Sequence, residues 1–326
     1  MALLFRLDPY PRPMIWAGPH LVRQFGRDEV SGLAIGESLE ASTLPGMESW
    51  VRDGDGRRRR LADLLEEMGT DLAGPGWRPG RPFPLLVKRL DAGQRLSLQV
   101  HPDDRRAREL EGAENGKDEA WVVLAAEEGA GVWAGLAAGV DRAALEGELE
   151  SGDPMERVRF LELAVGDALP IPAGCIHAVG EGLLVFEVQQ PSDHTYRIHD
   201  YGRLGPDGRL RALHHEKGLA VLETELRPEV AEPRSLAADG ALRREGLVAM
   251  PSFGIERWRL GAGEKGSVEG GVLRVLHAVT GRGLVRGGAE EAEISAGASI
   301  LAAAATPSLE VVAGENGPLE LLVAVA

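Results

Sequence analysis

Gln99, His101, Glu119 and His177 are the side chains whose types and placement could do chemistry together. From Arg95 to His101 the residues alternate, which puts Leu96, Leu98 and Val100 on one face of a strand and Ser97, Gln99 and His101 on the other. A hydroxyl, an amide and an imidazole then stand in a row, and the strand breaks at Pro102, Asp103 and Asp104. This reads as a barrel strand with a polar lining at its mouth, a place for a metal or a small ligand. In GKDEAWVVLAA a second strand places Lys117 and Glu119 on one side of its sheet, and His177 follows a turn built on Pro172 and Gly174. Two neutral imidazoles with amide and carboxylate oxygens suit zinc, and also iron or manganese.

The elements that must hold these residues are mostly short strands. Apolar runs predict a strand at Pro84 to Lys88 and others at Leu169 to Ile171 and Leu183 to Gln189. Helices are expected from Asp103 to Leu110, where two carboxylates suit the first turn, and over Val140 to Glu150 and Pro154 to Arg159. Residues 1 to 56 read as an irregular N-terminal cover, with short strands or turns near Met14 to Gly18, Gly32 to Ile35 and Ser38 to Ser42. The basic run Arg57 to Arg60 reads as the solvated start of the helix LADLLEEM. Residues 205 to 245 look like a connection, and from Leu247 short strands between Gly turns suggest a second barrel or sandwich. The division expected is therefore 1–230 and 231–326.

Charge and composition exclude several classes. Lys plus Arg is 36 against 51 Asp plus Glu, a net charge of −15, which argues against a nucleic-acid surface. No segment approaches the roughly 18 apolar residues of a spanning helix, so no membrane partner is expected. The lone Cys175 excludes an intrachain disulfide and fits a reducing compartment, so a cytoplasmic protein is expected. Its thiol, two residues before His177, reads as packed rather than metal-bound. His20, His194, His199, His214, His215 and His277 read as surface or structural. Oligomeric state is left open.

Spacing then brings a resemblance. Gly93, Gln99 and His101 resemble the first cupin motif with Gln in place of its first His, and Gly166, Pro172, Gly174 and His177 match the second. Laying 165–179 over 296–311 aligns Gly166 with Gly297 but sets Ala303, Ala305 and Ser308 against Pro172, Gly174 and His177, a repeat without ligands. Glu119 lies 18 residues after His101, later than is usual for a cupin. With that displacement, SLQVHPDD, GKDEAW, PAGCIHAVGEG and EVQQPSDHTYRIHDYGR together resemble the type I mannose-6-phosphate isomerases, from IWAG at Ile15 through GES at Gly36 to Arg203. Leu39 after GES and Cys175 depart from the family's usual residues, and the C-terminal part offers no motif.

The resemblance implies a mainly β fold of two cupin-type β-barrels (jelly rolls) with helical insertions, the second degenerate. It implies one Zn2+ per chain on Gln99, His101, Glu119 and His177, and a sugar-phosphate substrate interconverted between aldose and ketose through an enediol. Arg197, Glu187 and Lys117 are then the expected catalytic residues, with Ser97, Lys88 and Arg203 binding substrate. Between the proton carriers, Glu187 is preferred over Lys117. Two other readings stand beside it: a non-catalytic metal-binding cupin that senses sugar phosphates, which would be expected to lack Lys117, Glu187 or Arg197, and an iron dioxygenase, which would want a third His where Gln99 stands.

Overall fold

The computed structural model of the chain describes residues 3–28 and 31–326, with Glu150 and Ser151 by backbone alone. It is built mainly of antiparallel strands and divides by contact into two units. One comprises Pro11–Ser38 and Lys88–Ala231; the other comprises Met1–Tyr10, Leu39–Val87 and Glu232–Ala326. The C-terminal unit thus begins where a connection is read from the sequence, but it also takes two N-terminal segments. The strand Leu4–Asp8 explains why: it pairs with Ser299–Ala302 on one side and Trp50–Arg52 on the other. The N-terminal stretch is accordingly no irregular cover. It also supplies the helix Pro19–Phe25 and the wholly buried strand Ile35–Ala41.

In the first unit a six-stranded and a five-stranded sheet enclose a core that includes Leu90, Trp121, Val123, Val132, Ala134, Val179 and Val185. Period-two alternation explains how this core gives way to a polar site. On Leu86–Ala92 the inward face runs from Ala92 and Leu90 to Lys88. On Glu119–Ala126 it runs from Val123 and Trp121 to Glu119, and on Leu183–Gln189 from Leu183 and Val185 to Glu187. Three strands therefore change from apolar to ionisable at the same end of one sandwich. A second apolar cluster, with Leu98, Val100, Leu145, Ile176, Ile198 and Val221, covers the outer face of the five-stranded sheet.

Helices fall where their signals lie. Asp103 caps Asp104–Glu111 by accepting the Arg106 amide at 2.6 Å, and Asp141 caps Arg142–Ser151 through Ala144. Pro154–Arg157 is a 3-10 turn that runs directly into the strand Val158–Glu162, so the helix expected there is shorter. Leu61–Met68 buries Leu61, Leu64, Leu65 and Met68, but the arginines before it, Arg58–Arg60, form a strand rather than a helix start.

The second unit packs a nine-stranded and a five-stranded sheet around a core with Leu4, Trp258, Leu276, Val285, Ile300 and Val311. The strand, turn and strand Ser299–Ala302 to Ser308–Ala313 corresponds to Ala168–Ile171 to His177–Val179. Both copies are entered through a left-handed glycine, Gly166 at φ 94° and Gly297 at φ 82°, which accounts for the aligned glycines.

Candidate metal centre and catalytic residues

The strand Leu98–Val100 is shorter than expected, because the Pro102 break takes His101 out of the ladder. Gln99 still lies between two partners. His177 pairs with it from the strand His177–Val179 and Arg197 from the strand Tyr196–His199. Directly opposed residues share a face, so His177, Gln99 and Arg197 form one row across three strands. Glu119 opens its own strand on the facing sheet, opposite Ile171 and Gln189.

These side chains meet. Donor atoms of His101, Glu119 and His177 lie within 4.8 Å of one another, all three residues being buried. His101 Nε2 is 3.4 Å from Glu119 Oε2, and His177 Nε2 is 3.1 Å from Glu119 Oε1. The other ring nitrogens fix the tautomers: His101 Nδ1 faces the His194 carbonyl at 3.0 Å, and His177 Nδ1 the Cys175 carbonyl at 2.9 Å. A carbonyl only accepts, so each Nδ1 carries the proton and each Nε2 presents a lone pair toward the carboxylate. Burial, then Lys117, pushes His101 down to about 3, which keeps the ring neutral. Glu119 stays ionised: burial opposes this, but the Lys117 ammonium outweighs it and holds the carboxyl well below the usual carboxylate range. Its Oε2 takes the Lys117 ammonium at 2.9 Å. The Gln99 amide reaches His177 Nε2 at 3.2 Å, and a half turn about its last bond points its carbonyl oxygen there instead. Three lone-pair donors around an ionised carboxylate fit a divalent cation, with both imidazoles already oriented by second partners as metal ligands are.

Behind the donor set sits a row of buried charges. Lys117 Nζ is 2.9 Å from Glu119 Oε2 and 3.0 Å from His101 Nε2. Lys88 Nζ lies 3.3 Å from Glu187 Oε1 and 3.4 Å from Glu37 Oε1, and Arg12 reaches Glu37 at 3.0 Å. Lys88 is held protonated, because Glu187 and Glu37 outweigh its burial. Glu37 is held low by Lys88 and Arg12 against the same penalty. Glu187 differs. Burial pushes it up to about 7, with Lys88 opposing and Glu119 adding to the rise.

Of the other expected residues, Ser97 is buried two positions before Gln99 with no strand of its own. Arg197 donates to the Ala212 carbonyl at 2.9 Å, but its Nε is buried without a partner. Burial and the neighbouring Arg211 lower its pKa, the mark of a cation short of counter-charge. Arg203 is fully engaged. It binds Asp200 at 2.5 Å and the Arg95 carbonyl at 2.6 Å, and it packs on the Tyr201 ring.

Several contributors carry no side-chain signal. The carbonyls of His194 and Cys175 set the tautomers, yet any residue there would offer the same oxygen; the Cys175 thiol itself is buried away from the donor set, near the Ile176 carbonyl. The Pro172 turn is tied to the first motif by Gly174 N–H donating to the His101 carbonyl at 2.8 Å. Asp104 and Asp118 brace the same region: Asp104 accepts from Gly116 N and Gln190 Nε2, and Asp118 from Ala173 N. Glu37, inside the GES motif, could have been found from its position two residues before Leu39 on an apolar strand, where a carboxylate needs a partner.

Comparison with known proteins shows the chain's family. The family model for the phosphomannose isomerase type I catalytic domain matches residues 4–120. The mannose-6-phosphate isomerase of Streptococcus mutans is 37% identical over 251 residues, covering 77% of each chain. The mannose-6-phosphate isomerase ManA of Bacillus subtilis is 33% identical over 252 residues, 77% of this chain and 78% of that one. The crystal structure of the Bacillus subtilis mannose 6-phosphate isomerase superposes with a TM-score of 0.87 at 28% identity, covering 99% of both chains. On these grounds the chain belongs to the type I phosphomannose isomerase family.

Proposed function

We propose that the chain interconverts mannose 6-phosphate and fructose 6-phosphate through an enediol, with one zinc ion held by Gln99, His101, Glu119 and His177. The observation that carries this reading is the convergence of two correctly tautomerised imidazoles on the buried Glu119 carboxylate, beside a second carboxyl near neutrality. A zinc ion there would supply positive charge to the two substrate oxygens flanking the carbon that loses its proton.

The protein residues supply the rest. Glu187 takes the proton from carbon 2 and returns it to carbon 1, since a carboxyl near 7 both accepts and releases a proton at neutral pH. Lys88 orients Glu187 and keeps part of its charge. Lys117, against Glu119 and His101, presents an ammonium that gives a proton to the carbon 1 oxygen as the enediol forms and recovers one from the carbon 2 hydroxyl as it collapses. Lys88, Lys117 and Arg12 against Glu37, Glu119 and ionised Glu187 leave the cluster neutral; a dication brings it to +2, complementary to an anionic sugar phosphate. Arg197, with its unpartnered Nε beside Gln99, is assigned to the phosphate. The retained Lys117, Glu187 and Arg197 favour catalysis over mere sensing. Among the described residues no helix is long and apolar enough to cross a membrane. The test is metal analysis of the purified protein together with an isomerase assay on mannose 6-phosphate, glucose 6-phosphate and free mannose. Turnover of the first with about one zinc per chain supports the proposal, and metal binding without turnover returns the chain to the sensing reading.

A further inference from the structure

The C-terminal unit holds a cationic cleft that the isomerase reaction does not use. Its floor is a row of arginines. Arg6 lies opposite Arg52 in one strand pair, and Arg52 lies opposite Arg58 in the next. Cross-strand partners share a face at about 5 Å spacing, and like charges placed so repel. Such a ladder needs counter-charge, and it has little. Asp8 serves both Arg52 at 3.0 Å and Arg58 at 2.8 Å. Among the described residues Arg6 has Glu293 alone as ion-pair partner, 3.6 Å away with that side chain 80% exposed. Across the cleft stands Arg282, which has no ion-pair partner among the described residues. Arg6, Arg52 and Arg282 line a volume of about 800 Å³, walled by Gly281, Gly283 and Gly314.

Neighbouring carboxylates are directed to other partners. A second hollow on the far side of Arg6 and Arg52 is lined by Asp53, Glu290 and Glu291. Glu290 is occupied by the Leu3 and Leu4 amides at 2.8 Å each, Glu291 by Arg286, and Asp53 by the Arg57 amide. The cleft itself therefore sets three guanidiniums, Arg6, Arg52 and Arg282, against Asp8 and the solvated Glu293, in a chain whose net charge is −15. The acidic rim and overall charge disfavour a long polyanion such as nucleic acid. A small, multiply charged anion fits, because adjacent guanidiniums can fork onto its oxygens.

We propose that this cleft is a second ligand site, for a small phosphate-bearing metabolite gripped by Arg6, Arg52 and Arg282. The repeated barrel that lost its metal ligands would then keep a ligand-binding role with different chemistry.

Calorimetric titration of the metal-loaded full chain with inorganic phosphate at low salt tests this, using the wild type, Arg282→Ala and Arg52→Gln. Phosphate bound at the isomerase centre is common to all three proteins, so differences report the cleft. Among the described residues Arg282 has no ion pair to lose, so that variant is expected to fold. The expected result is phosphate binding weakened roughly fivefold or more in both variants, with isomerase kcat/KM unchanged. Thermal melts should agree, phosphate raising Tm more for wild type than for Arg282→Ala. Equal phosphate affinity in all three proteins, or no binding by wild type up to about 10 mM, overturns the proposal.

Discussion

Lys88 Nζ lies 3.3 Å from Glu187 Oε1, yet the Glu187 carboxyl still titrates up near 7, because burial and the negative Glu119 outweigh the ammonium. A pH prediction follows. Glu187 acts as base only when ionised, so kcat/KM should rise with pH through an acid limb governed by this group. Lys88 opposes the upward shift, and its removal should raise the pKa further. Lys88→Met is therefore expected to move the acid limb to higher pH, read from kcat/KM profiles of both proteins. A limb that stays put or moves down would separate Lys88 from Glu187.

Proton transfer itself distinguishes the two candidate carriers. With metal bound, Glu187→Gln should abolish exchange of the carbon 2 hydrogen with solvent deuterium, while Lys117→Met should slow turnover yet keep some exchange. Nuclear magnetic resonance of the sugar after incubation in deuterated water reads both. The opposite pattern would assign the base to Lys117, which already touches Glu119.

Metal should bind once. Ala303, Ala305 and Ser308 occupy the places in the second copy that Pro172, Gly174 and His177 hold in the first, and none offers an imidazole. Elemental analysis should give about one equivalent per chain for wild type, and His177→Ala should lose metal and activity together. Two tightly held equivalents in wild type would contradict this.

The two arginines of the second motif should behave differently. Arg197→Ala is expected to raise KM for mannose 6-phosphate by about tenfold to a hundredfold, a charge-assisted bond being worth about 1.5–3 kcal/mol, with KM for free mannose little changed. Arg203→Ala should act instead on stability, since Arg203 and Arg211 together hold Asp200 below its usual range despite burial. A lowered carboxylate contributes stability above its unfolded pKa and loses it as pH falls through the folded one. The Tm gap between wild type and Arg203→Ala should accordingly shrink in acid. A large KM effect from Arg203→Ala at unchanged Tm would return that residue to the phosphate.

The meeting of Gln99, His101, Glu119 and His177 and the strands Leu183–Gln189 and Glu119–Ala126 were legible because alternation and motif spacing are written in side chains. What escaped was fixed by backbone or by distant pairing. The N-terminal Leu4–Asp8 looks too short to matter until Ser299–Ala302, some 290 residues on, supplies its partner. The arginines at 58–60 read as a helix start because their strand exists only through pairing with Trp50–Arg52. The tautomers of His101 and His177 depend on carbonyls that no residue type reveals. Arg203 is expected from its motif to bind substrate, and the fold brings Asp200 and the Arg95 carbonyl onto it.

The most direct test is the conversion of mannose 6-phosphate by purified chain before and after metal removal. The expected result is formation of fructose 6-phosphate that disappears on chelation and returns with about one equivalent of zinc per chain. Conversion at full rate by metal-free protein, or none by the protein with metal bound, would contradict the role assigned to Gln99, His101, Glu119 and His177.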